Sequence, residues 1–243
     1  MKNLSLYFIL LMFFSVSIQA QNHSQHTSIS SAHSGHEPHD PLLLFINMED
    51  FQSSLTQDQP VYQGKLTSWI GKDKNKLGIR ARIENTEGAS EYIEKELFFA
   101  SALNVFWDWQ FGWRQDRNPA SKMNWLTLSA EGEAPYFIHS QIQLLTNQDG
   151  DAGLRLHFQQ DWRINNSWNL RPETEINFYS KDHSEFSHQA GLSDAHLSVK
   201  LLYDNIRKLA PYIALEYEKN WAGTTEVDTK DAAQISAGMS FWF

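Results

Sequence analysis

The 243-residue sequence contains no cysteine, so the protein has no disulfide, no thiolate metal site and no cysteine nucleophile. Beyond residue 20 it also lacks any apolar run of about 18 residues, which argues against a helical membrane protein. Lysine and arginine are outnumbered by aspartate and glutamate, 20 against 29, and form no basic stripe, which argues against nucleic acid as a partner. Nucleophile-elbow, phosphate-loop and zinc-protease motifs are missing too, so we predict that the protein is not an enzyme.

The first 20 residues have the composition of a secretory signal peptide. Lys2 is their only charge, an apolar run of about 15 residues extends from Leu4 to Ile18, and Ala20 suits the position before cleavage. The alternative is an uncleaved N-terminal anchor, but the polar stretch that follows lacks the basic flank that would hold an anchor on the cytoplasmic side. We therefore predict a signal peptide at residues 1–20.

Residues 21–41 are rich in serine and histidine and contain one large aliphatic side chain, Ile29. Such a segment cannot bury enough apolar surface to fold alone, so we predict that it is disordered. Five of the ten histidines lie within it, and acidic residues stand among the last three of these. The candidate metal ligands are His23, His26, His33, His36, Glu37, His39 and Asp40. The alternative interpretation is a polar linker in which histidine is simply hydrophilic.

From Leu42 onward, apolar and polar residues alternate between turn signals, which is typical of β-strands because their side chains point alternately to two faces. We count about twelve such segments of ~9–13 residues, long enough to cross a bilayer when tilted. The clearest segment places on one face Trp107, Trp109, Phe111 and Trp113, and on the other Asp108, Gln110, Gly112, Arg114 and Asp116. The last segment, Gln234–Phe243, ends on an aromatic residue, which resembles the assembly signal of outer-membrane β-barrels.

Alternation alone does not separate a soluble β-sandwich from a membrane barrel, because the sandwich turns its apolar face inward and the barrel turns it outward. The aromatic residues on the apolar faces, the strand lengths and the terminal Phe243 favour the barrel. Connections alternate imperfectly between short and long, and an even strand number places both termini on the periplasmic side. We predict an all-β, antiparallel, up-and-down transmembrane β-barrel of about twelve strands over residues 42–243, preceded by the disordered histidine-rich segment.

The polar faces would line a lumen with charges of both signs, and ion pairs across a narrow barrel would close it. The predicted lumen residues are Arg80, Arg82, Arg114, Arg155, Arg163, Arg171, Lys200, Glu94, Glu96, Asp108, Asp116, Asp161, Glu173, Glu175, Glu216 and Glu218. His139, His157 and His196 also fall on polar faces and are candidate metal ligands, although a lone strand histidine more often hydrogen-bonds to its neighbours. A hydrolase built from His139, His157, Ser198 and Asp204 is a further alternative that their spacing does not support.

Several short motifs occur in a fixed order along the chain. They are Trp-Ile-Gly at 69–71, Phe-Trp-Asp-Trp-Gln-Phe-Gly at 106–112, Gly-Glu-Ala-Pro-Tyr at 132–136, Phe-Tyr at 178–179, Gly-Leu-Ser-Asp at 191–194, Ala-Pro-Tyr-Ile at 210–213 and Phe-Trp-Phe at 241–243. In these motifs the chain resembles the copper resistance protein B family of bacterial outer-membrane barrels. Their order and spacing cover nearly all of the chain beyond the signal peptide. The resemblance implies an outer-membrane barrel, copper binding and a role in copper tolerance.

One departure from the family concerns the metal ligands. Family members usually carry a segment rich in methionine and histidine, whereas residues 21–41 contain histidine but no methionine, and Met48 is the nearest. Thioether sulfur favours Cu(I), and imidazole suits Cu(II), zinc and nickel. We therefore expect Cu(II) to be the favoured copper ion, with Cu(I) as the alternative.

Together these observations lead to the hypothesis of a copper-binding protein of the cell outer membrane, which serves copper resistance and homeostasis. Its histidine-rich segment would lie in the periplasm and sequester copper or pass it on. The expected partners are copper ions, outer-membrane lipid and periplasmic copper-resistance proteins. Two alternatives remain: a channel or porin with an incidental histidine-rich tail, and a barrel lipase or protease.

Overall fold

The computed structural model describes residues 40–56, 61–86, 90–205, 208–221 and 232–243. Within this range, Asp40–Phe243 belongs to one compact unit. The predicted signal peptide at residues 1–20, and the predicted disordered segment apart from its last two residues, lie outside the described residues. No helix in the described part of the chain is long and apolar enough to cross a membrane.

The described residues form thirteen strands that follow one another as hairpins. They are β1 Leu43–Ser54, β2 Val61–Gly71, β3 Asn75–Thr86, β4 Ser90–Ala102, β5 Trp107–Arg117, β6 Lys122–Ala134, β7 Ile138–Thr146, β8 Ala152–Gln160, β9 Trp162–Arg163, β10 Trp168–Tyr179, β11 Gly191–Tyr203, β12 Leu209–Asn220 and β13 Ala232–Trp242. Two short 3-10 helices, Pro135–Phe137 and Ser184–Phe186, lie in connections. Each predicted segment corresponds to a strand, and the eighth is split at Asp161 into β8 and β9.

Neighbouring strands pair antiparallel, and β1 also pairs with β13, so the sheet closes on itself. The two-residue β9 continues the line of β8, since both pair with β10, so β8 and β9 together cross the barrel wall once. We call each such crossing of the wall by the chain a stave. The result is a closed barrel of twelve staves, in which β10 to β13 are the ninth to the twelfth. Closure satisfies the backbone donors and acceptors that lipid cannot. The predicted all-β antiparallel barrel is confirmed.

The exposure of the two sheet faces shows which way the barrel is turned. In β5 the outward side chains of Trp109, Phe111 and Trp113 are 39%, 52% and 46% exposed, whereas the inward Arg114 and Asp116 are fully buried. A soluble protein would do the reverse, because burying a charge is costly unless it is paired. The exposed apolar band is therefore the lipid-facing surface, and the sandwich alternative is excluded.

A β-bulge in β1 places two consecutive carboxylates inside the barrel. The register of β1 shifts between Met48 and Asp50 against β2, and between Met48 and Phe51 against β13. A bulge inserts one extra residue into a strand and re-aims the neighbouring side chains. Glu49 and Asp50 therefore both face the lumen, where each contacts a lysine, while Phe51 is exposed on the outside.

The two ends of the barrel differ in their connections. The start of β1 lies beside the end of the chain, where Ile46 and Phe243 exchange two backbone hydrogen bonds of 3.1 and 2.9 Å. We call this end the terminus end, and its turns join β2 to β3, β4 to β5, β6 to β7, β9 to β10 and β11 to β12. The opposite end is the loop end. It carries residues 180–190 between β10 and β11, which we call the mouth loop.

Candidate functional site in the barrel lumen

Buried ion pairs fill the middle of the lumen. Alternation in the strands turns charged side chains inward, where each needs a partner because water is scarce. Six of them form a cluster that we call the central girdle: Arg82, Glu94, Arg114, Asp116, Arg155 and Glu175. Arg155 donates two hydrogen bonds to Glu94, at 2.9 and 3.0 Å. Arg114 donates two to Asp116, at 2.7 and 2.9 Å, and also lies 2.9 Å from Glu94.

One pair of the girdle crosses the whole barrel. Arg82 on β3 and Glu175 on β10 belong to the third and ninth of the twelve staves, which are diametrically opposite. Arg82 donates two hydrogen bonds to Glu175, at 2.8 and 2.5 Å, and Arg155 approaches Glu175 to 3.4 Å from the side. Paired guanidinium–carboxylate bonds set the orientation of both groups as well as their distance. The girdle therefore divides the lumen into two compartments.

A second cluster lies beside the girdle, towards β1. We call it the bulge cluster: Glu49, Asp50, Lys65, Glu173 and Lys200. Lys200 bridges Asp50 and Glu173, with 2.7 Å to each. Lys65 lies 2.9 Å from Glu49 and 3.6 Å from Glu173. The extra carboxylate that the bulge supplies gives this cluster three acids and two lysines, so it carries a formal excess of negative charge.

A third cluster narrows the lumen towards the terminus end. Arg80 on β3 lies 2.6 Å from Glu96 on β4 and 2.9 Å from Glu131 on β6. Glu96 also accepts hydrogen bonds from Thr127 at 2.7 Å and from Gln143 at 2.9 Å. Side chains from β3, β4, β6 and β7 thus meet in the middle of this compartment, and each carboxylate is satisfied by more than one donor.

Two cavities of very different size lie on the two sides of the girdle. A cavity of about 660 Å³ occupies the loop-end compartment, whereas the cavity on the terminus side measures about 30 Å³, room for little more than one water molecule. Arg82, Arg155, Glu175 and Lys65 line both cavities and so form the wall between them. The lumen is therefore a vestibule open towards the loop end and closed at mid-height.

The vestibule is acidic. Four lysine and arginine side chains line it, against nine carboxylates. The carboxylates are Asp50, Glu84, Glu91, Glu173, Glu175, Glu185, Asp194, Glu216 and Glu218. A cleft lined by an excess of one sign of charge concentrates ions of the opposite sign. The vestibule therefore favours cations over anions.

The mouth loop reaches across the loop end of the barrel. Its residues 184–188 line the vestibule. Glu185 accepts hydrogen bonds from Asn118 and Ser121, which lie in the connection between β5 and β6. On another side, Asn220 donates to the backbone carbonyl of Ser187 at 3.3 Å. The loop is thus tied to staves on different sides of the opening, and it narrows the entrance.

A carboxylate in the turn between β7 and β8 holds the start of the mouth loop. Asp151 forms an ion pair with Lys181 and lies 3.0 Å from His183 Nε2. Hydrogen bonding to Lys181, and then to Asn147, lowers the pKa of Asp151 below its usual value. The anionic carboxylate is therefore the stable form at this contact.

His188 forms the inner surface of the mouth loop. Its ring stacks on Tyr179 with 3.9 Å between centroids and 10° between planes. Burial lowers the pKa of His188 to about 3, and the positive charges of Arg114 and Arg155 act in the same direction. The imidazole is therefore neutral at neutral pH, and its Nδ1 has no hydrogen-bond partner among the described residues.

The strand region as a whole matches a known family. Residues 43–243 match the family described as copper resistance protein B precursor. The chain belongs to the copper resistance protein B family. It is 30% identical over 187 residues to copper resistance protein B of Escherichia coli, which covers 75% of this chain and 63% of that relative. It is 28% identical over 183 residues to a copper resistance protein B homolog of Pseudomonas syringae pv. tomato, covering 73% and 62%. The chain thus spans less than two thirds of the length of these relatives.

Two solved porin structures share the fold of this copper resistance protein B family member. The KdgM porin superposes with a TM-score of 0.52 at 12% identity, covering 81% of this chain and 99% of the porin. The NanC porin superposes with a TM-score of 0.51 at 14% identity, covering 82% and 98%. At these identities the likeness concerns the fold alone.

The three lumen histidines predicted as metal ligands each face their own carboxylates. His157 Nε2 lies 2.8 Å from Glu173, and His196 Nε2 lies 3.7 Å from Glu216. His139 lies 3.4 Å from Glu131, and its ring centroid is 6.5 Å from that of His157. Within the described ranges, no group of three or more histidine, aspartate or glutamate side chains is arranged to hold a metal ion. Their role as ligands in this family member stays a prediction.

Only one of the seven candidate ligands in the histidine-rich segment falls within the described residues. Asp40 accepts a hydrogen bond from the backbone N–H of Asp73 at 3.3 Å and lies 3.7 Å from the Lys72 ammonium. These contacts attach the residue to the turn between β2 and β3. The other six lie outside the described residues, so the segment remains a predicted copper site.

The residues of the hydrolase alternative do not form a nucleophile–base pair in this family member. The hydroxyl of Ser198 is buried and has no hydrogen-bond partner among the described residues. His157 instead contacts Glu173, and His139 contacts Glu131. A serine nucleophile requires a base within hydrogen-bonding reach, and neither histidine provides it here. The absence of enzymatic activity stays a prediction.

Several lumen residues were missed by sequence reasoning. Alternation outward and inward from Phe51 would have found Gln52, whose amide donates to Glu216 at 2.7 Å. Alternation in β12, where Ile213 faces outward, would likewise have found Tyr212, whose hydroxyl donates to Asp50 at 2.9 Å. The bulge left no signal in the sequence, so the inward position of Glu49 could not be predicted. Of the predicted lumen set, Asp161 and Arg171 form a pair of 2.6 Å at the break between β8 and β9 rather than in the girdle.

Proposed function

We propose that the protein binds copper at the outer membrane and serves copper resistance, with the histidine-rich segment as its copper-binding part and the barrel as its anchor. The match of residues 43–243 to the copper resistance protein B family carries this proposal. The segment sequesters copper on the periplasmic side or passes it on. Because the relatives are longer than this chain, their activity as whole proteins is transferred here as a hypothesis.

The chemistry of the segment supports Cu(II) as the ion. Between residues 21 and 41 the possible ligands are imidazoles and carboxylates, and no thioether or thiol is present. Imidazole suits Cu(II), and Cu(II) leads the divalent first-row metals in affinity for such sites. The five histidines His23, His26, His33, His36 and His39 would supply the ligands, with Glu37 and Asp40.

The closed lumen supports sequestration by the segment rather than free flow of ions through the barrel. The girdle blocks the lumen at mid-height, and its charges are paired, so an ion that crosses must break at least one ion pair. The acidic vestibule would attract cations from the loop end, and it is the part of the barrel best suited to take part in passing copper.

Calorimetry with Cu(II) tests the proposal. The mature protein is compared with a variant that lacks residues 21–41 and with a full-length variant in which the five histidines of the segment are replaced by asparagine. We expect both variants to lose most of the binding while folding as barrels. Equal Cu(II) binding by all three proteins would remove the segment from the mechanism.

A channel is the second candidate function. It is favoured by the vestibule of about 660 Å³ and by a fold shared with proteins that are called porins. A channel would conduct ions in planar bilayers without added copper. If the protein is such a channel, a strain that lacks it would keep its copper tolerance. If the protein sequesters copper, a strain that lacks it would grow less well as the copper concentration rises.

A further inference from the structure

Two neighbouring turns at the terminus end carry large apolar side chains at their tips. In the turn between β4 and β5, Val105 is 91% and Phe106 is 66% exposed. In the turn between β6 and β7, Tyr136 is 84% and Phe137 is 86% exposed. The backbone N–H of Glu133 donates to the carbonyl of Phe106 at 3.0 Å, which joins the two turns. We call these four tip residues the apolar edge.

The turn between β6 and β7 holds its aromatic residues in a strained backbone. Tyr136 has a φ of 67° and Phe137 a φ of 59°, both in the left-handed region. That region is unfavourable for a residue with a side chain, and such turns are usually built with glycine or asparagine. Burial against the described part of the chain does not offset this backbone strain, because both rings are almost fully exposed. An observed strain of this kind points to a function for the residues that bear it.

A third turn at the same end shows that the fold does not require apolar tips. Asn104 accepts hydrogen bonds from the backbone N–H groups of Phe106 and Trp107 at 2.8 and 3.0 Å. In the turn between β9 and β10, Asn165 accepts the equivalent bonds from the second and third residues after it, at 2.9 and 3.0 Å. The turn between β9 and β10 thus has the same geometry as the turn between β4 and β5, yet its tip is Asn166-Ser167 where the other has Val105-Phe106. The apolar tip therefore serves something other than the turn itself.

The apolar edge covers only part of the terminus end. The turn between β2 and β3 carries Lys72, Asp73 and Lys74 at the corresponding position. The turn between β9 and β10 has the polar tip Asn166-Ser167. Among the terminus-end turns that the structure describes in full, apolar tips thus lie over β4 to β7, and polar or charged tips lie on either side of them.

We propose that the apolar edge inserts into the interfacial layer of the bilayer and anchors this side of the barrel, so that the terminus end sits deeper in the membrane over β4 to β7 than over β2 and β3. The edge continues the lipid-facing surface of the same strands, where Phe99, Phe111 and Ile142 are exposed. Tyr136 has an aromatic ring with one polar group, and such rings partition to this layer.

The shape and charge of the edge favour lipid over a protein partner. Its four side chains are 66% to 91% exposed, so they do not line a groove in which a protein segment could lie. Residues 103–107 and 134–138 contain no charged side chain that could orient a protein partner. A bilayer interface needs neither a groove nor charge complementarity, because it adapts to the side chains that enter it.

The lack of cysteine makes this proposal directly testable. Single cysteines are introduced into the full chain at Val105 and Phe137, and at the polar tips Asn166 and Lys74 as matched controls. Each is labelled with an environment-sensitive fluorophore, and the protein is reconstituted into vesicles of phosphatidylethanolamine and phosphatidylglycerol with spin-labelled lipid. We expect blue-shifted emission and quenching by shallow spin-labelled lipid at positions 105 and 137, and quenching by aqueous iodide at 166 and 74.

Two results would overturn the proposal. One is an equal response of all four probes to lipid and to iodide. The other is shielding at 105 and 137 that grows with the protein-to-lipid ratio and ignores the lipid quencher, which would mean contact between copies of the chain. The variant Val105→Asn/Phe106→Ser copies the polar tip, so it should keep the heat-modifiable folded band on gels while the lipid quenching at 137 falls. An unchanged quenching at 137 in this folded variant would also count against the proposal.

Discussion

Arg82 and Glu175 join opposite walls of the barrel by two hydrogen bonds of 2.8 and 2.5 Å. The two residues are six staves apart in a ring of twelve, so their contact spans the full width of the lumen. Glu175 is also approached by Arg155 to 3.4 Å, and both arginines line the two cavities. The pair is therefore the single contact whose loss would most directly connect the vestibule with the terminus end.

The variant Arg82→Gln should open the lumen and destabilise the barrel. It removes the bridge and leaves Glu175 with Arg155 as its remaining cation. Breaking a buried pair costs about 3–5 kcal/mol, but Arg82 is 30% exposed to the lumen, so we expect about 1–3 kcal/mol. Conductance in planar bilayers should rise, and the temperature at which the folded band disappears on gels should fall.

Two further variants separate opening of the lumen from loss of charge. Arg82→Gln/Glu175→Gln removes both partners, so it should recover part of the lost stability while keeping the raised conductance. Arg171→Gln breaks the ion pair with Asp161 at the break between β8 and β9 and should leave conductance unchanged. A conductance of Arg82→Gln equal to that of the wild type would show that the bridge does not close the lumen.

A glycine in β3 allows an aromatic side chain to lie inside the lumen. A Cβ atom at Gly78 would lie 2.3 Å from the ring of Phe98, which is buried and stacks 4.6 Å from the guanidinium of Arg80. Gly78→Ala should therefore displace both the ring and Arg80, and lower stability by about 1–3 kcal/mol. Gly64→Ala is the control, since its nearest neighbouring atom is 3.9 Å away. Equal thermal stability of the two variants would show that Phe98 has room to move.

The lumen could be predicted from the sequence wherever alternation is unbroken. Trp125 lies inside the barrel and donates to Asp116 at 3.0 Å, as its place in the alternation of β6 requires, although tryptophan is common on lipid-facing surfaces. Glu49 shows the limit of the pattern, because a bulge changes the face of a side chain without changing composition. The face to which a strand side chain points can thus be predicted from the neighbouring residues, except at bulges.

The partners within the lumen could not be predicted in the same way. Arg82 and Glu175 are 93 residues apart, and their contact depends on the number of staves and on how the sheet closes. Alternation shows that both face inward, but it does not show which of the inward charges they meet. The mouth loop poses the same difficulty, since its contacts with Asn118 and Asp151 come from turns far away in the chain.

Copper binding should depend most on the second group of histidines in the segment. His33, His36 and His39 follow one another at spacings of three, with Glu37 before the last of them and Asp40 directly after it, whereas His23 and His26 stand apart. Replacing His33, His36 and His39 by asparagine should lower Cu(II) affinity more than replacing the two earlier histidines, because it removes more neighbouring ligands. Calorimetry measures both, and a larger loss from His23→Asn/His26→Asn would contradict the expected arrangement.

The carboxylate nearest the barrel should matter less to copper. Asp40 contacts the Asp73 amide and lies near Lys72, so it already has partners at the turn between β2 and β3. Asp40→Asn should therefore change Cu(II) affinity less than the replacement of a single histidine such as His36. A loss as large as that of His36→Asn would show that Asp40 leaves the turn to bind the metal.

Acid should release the mouth loop through His188. When the mouth loop lies across the opening, which we call its closed state, burial holds the pKa of this imidazole at about 3. Arg114 and Arg155 act in the same direction, and Glu94 opposes them. When the loop is released into solvent, its open state, the pKa of His188 would return to about 6.5. Below about pH 6.5 the open loop therefore binds a proton that the closed loop does not, and closure weakens by about 1.4 kcal/mol per pH unit until about pH 3. Above pH 6.5 the contribution is constant.

Hydrogen exchange measures this release directly. The backbone amides of Phe186 and Ala190 are bonded within the loop, so their protection relative to the free exchange rate should fall between pH 7 and 5. His188→Gln cannot take up a proton and should abolish the dependence, although it removes the stacking on Tyr179. The ion pair of Asp151 persists over this range because the pKa of that carboxyl is lowered, so it does not produce the same trend. A fall in protection that persists in His188→Gln would mean that another group opens the loop, since only a residue that changes its charge between the closed and open loop couples the two to pH.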